Sequence, residues 1–161
     1  MAWAIVNLIE LGDASDAILK ENYKSILAAE NMIDMIERQD SASLLTLLGY
    51  KDDGSGQFES NGIRFSEWLG RAKDNITIEG EAEILSGIEK SYSKYLSSVA
   101  SLVGTESLSL EQRKAYYRQR VLPDFLEVRN LCVRLREINQ ETMYEASEKA
   151  RRLSRRAVVS T

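Results

Sequence analysis

Polar residues on otherwise apolar helical seams are where this chain could do chemistry, because burying them costs free energy unless they are paired. Asn22 and Asn139 sit on such seams and fall at similar heights in an antiparallel register. They suit a polar layer that fixes helix register and lets helices shift during signalling, as single buried asparagines set register in coiled coils. The competing account places each slightly off its seam, in water. Arg38, Gln39 and Asp40 stand across from Arg118, Gln119 and Arg120, with Arg64 near the same level. Guanidinium groups around a partly enclosed site would bind a carboxylate or phosphate, since their fork matches those anions. Arg38, Asp40, Arg64, Arg118, Arg120 and Tyr95 are therefore a candidate site for a small anion. Salt bridges within the chain are the plainer account of the same charges. Tyr92, Tyr95, Tyr116 and Tyr117 either line a small-molecule pocket or fill the core.

Other chemistries are excluded by composition. There is no His, so a Ser-His-Asp triad, a Cys-His dyad, a zinc site with His ligands and the Glu-x-x-His pairs of di-iron bundles are ruled out. Cys132 is the only cysteine, which forbids an intrachain disulfide. On its seam it reads as a small buried apolar residue. The acidic stretch with Asp52, Asp53 and Glu59 lacks the ordered spacing of a calcium loop and reads as a solvated turn. No catalytic group, metal or cofactor is expected. A net charge of -4 argues against a nucleic-acid binder, which should be basic overall or along one face. With 161 residues, 43% of them hydrophobic, the chain suits one domain with a sizeable core.

The elements that position these residues are all helical. Pro123 is the only proline, which points to long helices and few turns. The first helix is expected over residues 4–48, on the seam Leu19, Asn22, Ile26, Ala29, Ile33, Ile36 and Asp40, widened by Tyr23, Leu27 and Met32. The stretch YKDDGSGQF reads as the turn that ends it. A second helix over residues 58–75 buries Phe65, Trp68, Leu69 and Ala72. A third begins near Glu79, carries the seam Leu85, Ile88, Tyr92, Tyr95, Val99 and Leu102, and closes at Gly104. Ser109 and Gln112 have capping-box spacing and open the last region. There Pro123 separates residues 110–121 from a kinked continuation over 124–158.

The expected architecture is an antiparallel four-helix bundle with long first and last helices and a shorter middle hairpin. The second helix, if it runs back along the first, stops near Ala28 or Ala29. Four helices then coexist only in the far half. Two helices alone cannot cover Ile5, Leu8, Ile9, Ile18, Leu19, Ile138, Met143 and Leu153 in the near half. A second copy of the chain, forming a two-fold symmetric stem, is the cheapest cover. Pro123 is expected as the kink where far bundle meets stem. No run of about 18 apolar residues spans a membrane. The pattern at both ends reads as that of a piece excised from between two membrane spans.

Three runs resemble a known family. The run ENYKSILAAENMIDMIERQDSA at 21–42 resembles the first helix of extracytoplasmic helical sensor domains in bacterial membrane histidine kinases. NITIEGEAEIL at 75–85 and INQETMYEASEKARRLSRRAV at 138–158 look like later parts of the same domains. The resemblance implies a periplasmic signal-input domain of a two-component system, working as a homodimer in a membrane-anchored, HAMP-containing parent. The fragment would not itself be an enzyme; its last helix would pass a displacement to a cytoplasmic kinase. The sequence does not identify the signal: a ligand such as a small anion, a metal, a periplasmic protein and a mechanical input all stay open, and nucleic acid is not expected. Arg151, Arg152, Arg155 and Arg156 sit awkwardly beside an outer membrane face, against the positive-inside tendency. A chemoreceptor input domain and a cytosolic helical adaptor or scaffold are the alternatives; the adaptor predicts polar flanking sequence.

Overall fold

A computed structural model describes the backbone of residues 2–159 and the side chains of residues 12–156. The described chain is all-helical: α1 (Ala2–Leu47), α2 (Lys51–Lys73), α3 (Glu81–Val103), α4 (Leu110–Tyr116), a π turn (Tyr117–Val121) and α5 (Leu122–Val159). The last three run on without a break, so the first and last helical segments are long and the middle two short. α1 lies against α2 and α5, α3 lies against α5, and α2 touches α3 more lightly.

Each packed pair is antiparallel. On α1 and α2, Thr46 faces Gly54 near the top, and Asn75, just past α2, reaches Glu21 near the bottom. On α1 and the last helical segment, Tyr117 meets Asp40 and Arg136 meets Glu30. On α3 and α5, Lys94 meets Asp124 and Glu81 meets Asn139.

The seams expected on α1 and α3 are buried where the helices lie together. Ala29, Met32, Ile33 and Ile36 on α1 and all six named residues on α3 lie in the core with Val128, Cys132 and Leu135 of α5. Tyr23 and Leu27 do not widen the α1 seam: they are 58% and 40% exposed, on a flank that no other helix covers. The capping box forms, with Ser109 Oγ accepting from Gln112 N and Gln112 Oε1 accepting from Ser109 N.

Two boundaries differ from expectation. The stretch YKDDGSGQF is a turn only at its edge; helix α2 begins at Lys51 and has 23 residues. Gly54 explains this. A Cβ there would lie 2.3 Å from Thr46 Oγ1 and 2.7 Å from the Ala42 carbonyl oxygen. Its bare backbone lets α2 lie flat on α1, and that packing outweighs the poor helix propensity of glycine. Asp52 and Asp53 in the first turn also complement the helix dipole. The turn proper needs Gly49, at φ 103°. As a consequence α2 reaches past Ala28 and Ala29 to the level of Ser25 and Glu21.

The second difference concerns Pro123. The helix does not stop there; the π turn immediately upstream absorbs the missing N–H, with Leu122 N reaching the Tyr117 carbonyl. Pro123 also lies inside the four-helix part, beside Asp124, whose carboxylate meets Ser98 of α3. It is about 24 Å of helix away from Asn139, where that part ends.

Below Asn22 and Asn139 only α1 and α5 continue, as a two-helix stem. Ile18 is exposed, and Leu19, Ile138, Met143 and Leu153 are half-buried. Ile5, Leu8 and Ile9 lie outside the residues whose side chains are described. Among the described residues no helix is long and apolar enough to cross a membrane.

Candidate functional site

The four-helix part ends in a layer of buried polar side chains. Asn22 on α1 is 1% exposed and Asn139 on α5 is fully buried, as their seam positions require. Glu81, the first residue of α3, is buried beside them. Its Oε2 folds back to accept the N–H groups of Thr77 at 2.7 Å and Ile78 at 3.1 Å. Its Oε1 accepts from Asn139 Nδ2 at 2.8 Å. On the other side, Asn75 Nδ2 donates to the Glu21 carbonyl at 2.8 Å and to Ser25 Oγ at 2.9 Å. The segment at 74–80 therefore clips α1 through Asn75 and α5 through Glu81.

The layer is not saturated. Both polar atoms of the Asn22 side chain, and Asn139 Oδ1, are buried without a hydrogen-bond partner. Each such group costs about 1–3 kcal/mol relative to a paired one. An arrangement that supplied partners would thus compete with this one. No hydrogen bond joins Asn22 to Asn139; Asn139 Nδ2 donates to Glu81 and to the Leu135 carbonyl of its own helix. Sequence reasoning missed Glu81, although stepping the α3 seam back one turn from Leu85 lands on it.

A second polar cluster lies higher in the core. Asp40 Oδ2 accepts from the Tyr117 hydroxyl at 2.7 Å, and Asp40 Oδ1 has no partner. Burial pushes the Asp40 carboxyl above the ordinary carboxylate range, with the Tyr117 bond opposing it. Burial likewise raises Tyr95 and Tyr117, and the nearby Asp40 carboxylate adds to both. Gln39 bridges three helices: its Nε2 donates to the Phe58 carbonyl at 3.0 Å and its Oε1 accepts from Tyr92 at 3.0 Å. The π turn, by shifting the helix register, brings Tyr117 inward to Asp40.

The residues expected to hold an anion divide between core and surface. Asp40 and Tyr95 are inside, whereas Arg38, Arg64, Arg118 and Arg120 are exposed. Arg38 pairs with Asp34 on its own helix at 3.0 Å, as the salt-bridge account had it. Arg118 lines a groove with Leu48 and Lys114, and Arg120 lies close enough to Lys94 to repel it. Asp52, Asp53 and Glu59 stand on helix α2, not on a solvated turn, and no group of three or more metal-binding side chains occurs among the described residues. Cys132 is buried, and burial alone pushes its thiol up to about 12.

Compared with known proteins, the sequence matches no family model and shows no significant similarity to curated proteins or solved structures.

Proposed function

We propose that this chain is the signal-input domain of a membrane-anchored sensor histidine kinase, an antiparallel four-helix bundle standing on a two-helix stem that pairs with a second copy. The observation that carries this reading is the stem. From 12 to 21 on α1 and from 140 to 156 on α5 no side chain is buried, yet Ile18, Leu19, Met143 and Leu153 are apolar. Small residues Ala14, Ala146 and Ala150, with Ile18 and Leu153, form a groove of about 240 Å³ along this pair. Small side chains allow close helix approach, and two stems related by a two-fold axis would cover one another.

In this reading the domain is extracytoplasmic, the kinase chemistry belongs to another part of the parent, and α5 carries the output. The clip at 74–80 supplies the mechanism. A stimulus that moves the α2–α3 hairpin pulls on α1 through Asn75 and on α5 through Glu81, and the Asn22 amide and Asn139 Oδ1, which have no partner here, supply alternative bonds for the shifted state. The resemblance of residues 21–42 and 138–158 to such domains supports the same assignment.

Sedimentation velocity on the wild type and on Ile18→Glu/Leu153→Glu tests it. A wild-type dimer that the double substitution converts to a folded monomer supports the reading. A wild type that stays monomeric at high concentration, with polar sequence flanking the domain in its parent, overturns it in favour of the adaptor.

A further inference from the structure

α2 and α3 meet through Phe65 and Tyr92, whose rings stack with centroids 4.1 Å apart. Above that contact the helices leave a groove of about 700 Å³. Its floor is Phe58, Tyr92 and the Gln39 amide, the last two fixed by their mutual hydrogen bond. Its walls are Ile63 and Leu96, which are 57% and 36% exposed. Gly62 keeps the floor open, since a Cβ there would lie 2.7 Å from Gln39 Nε2 and 3.2 Å from the Tyr92 hydroxyl.

The charge of the groove is one-sided. Glu59 and Glu67 stand on its rim and no Lys or Arg lines it. The ion pairs of Lys73 with Glu89 and Lys94 with Asp124, between neighbouring helices, engage other carboxylates. Glu59, Ile63 and Glu67 are four residues apart, so they form one stripe along α2. Two carboxylates about 12 Å apart along a helix axis cannot converge on one metal ion. An anion would be repelled by both. A cation with an apolar body suits this lining: the half-buried Phe58 ring attracts alkylammonium groups through its quadrupole, the apolar walls take the alkyl body, and the carboxylates balance the charge.

We infer that this groove binds a small organic cation of the alkylammonium class. The inference goes beyond the sensor reading: binding is a property of the isolated domain, whatever output the stem drives.

Isothermal titration with choline as the probe, beside its uncharged carbon isostere with a tert-butyl group in place of trimethylammonium, tests it. Saturable choline binding is expected, with the isostere and butyrate silent. Glu59→Gln/Glu67→Gln should weaken choline by about tenfold or more. Leu96→Lys, which sets a like charge on an exposed wall, should abolish binding while circular dichroism remains that of the wild type. Absence of saturable choline binding, equal binding of the isostere, or unchanged affinity in the double variant would overturn the assignment.

Discussion

The Glu81 carboxylate and the Asn139 amide are hydrogen-bonded at 2.8 Å, and neither side chain is more than 1% exposed. This single bond ties the segment entering α3 to the helix proposed to carry the output. Because Glu81 also accepts two backbone N–H groups, Glu81→Ala orphans the Thr77 and Ile78 donors and leaves Asn139 Nδ2 only its bond to the Leu135 carbonyl. We expect a loss of about 3 kcal/mol in urea unfolding. Glu81→Gln keeps one acceptor oxygen and should cost roughly half as much.

Gly54 and Gly56 separate the two effects of glycine in a helix. Gly54→Ala drives a Cβ into the Ala42 carbonyl, which cannot move aside, and should destabilise by about 2 kcal/mol. Gly56→Ala meets nothing within 4 Å and should stabilise by about 0.5–1 kcal/mol. Thermal melts of the two variants, measured side by side, should therefore shift in opposite directions.

Asp40 gives the fold a pH dependence of defined sign. Its folded carboxyl is held above the ordinary value by burial. Between the unfolded and the folded pKa the native state binds more protons, so this group's contribution is full below the unfolded value and is lost as pH rises through the folded one. Asp40→Asn keeps a partner for the Tyr117 hydroxyl without the charge. It should raise stability at neutral pH by on the order of 1 kcal/mol, with the gain vanishing toward pH 4. Denaturant midpoints across that range measure it; a gain that grows on acidification would refute the assignment.

Cys132 reports on opening of the core. With the thiol buried and pushed up to about 12, Ellman's reagent should react with it in the native protein only through unfolding. Its labelling rate is expected to follow the opening equilibrium as urea is raised. Fast labelling in buffer would show that α5 leaves the core by a local motion instead.

The α3 seam was readable because a regular spacing of apolar residues has one geometric meaning, and all six of its members are buried. The capping box at Ser109 was readable for the same reason: both of its bonds lie within four residues. Asn22 and Asn139 could be assigned to the interior from their place among apolar neighbours. What each of them touches could not. The side-chain partner of Asn139 stands across the fold on α3, and it becomes a partner only because Glu81 turns back over its own loop.

The start of α2 was hidden for a related reason. Asp, Gly and Ser at 52–56 favour a turn when only local chemistry acts, and the helix forms there because Gly54 lies against Thr46 and Ala42. Tyr117 reaches Asp40 through a π turn whose cause, Pro123, is visible in the sequence, though the inward shift is not. Local pattern therefore determined the helical class, most seams and the one proline-linked irregularity. Tertiary packing decided which polar groups are paired, which are left without partners, and where four helices give way to two, because these depend on contacts between residues far apart along the chain.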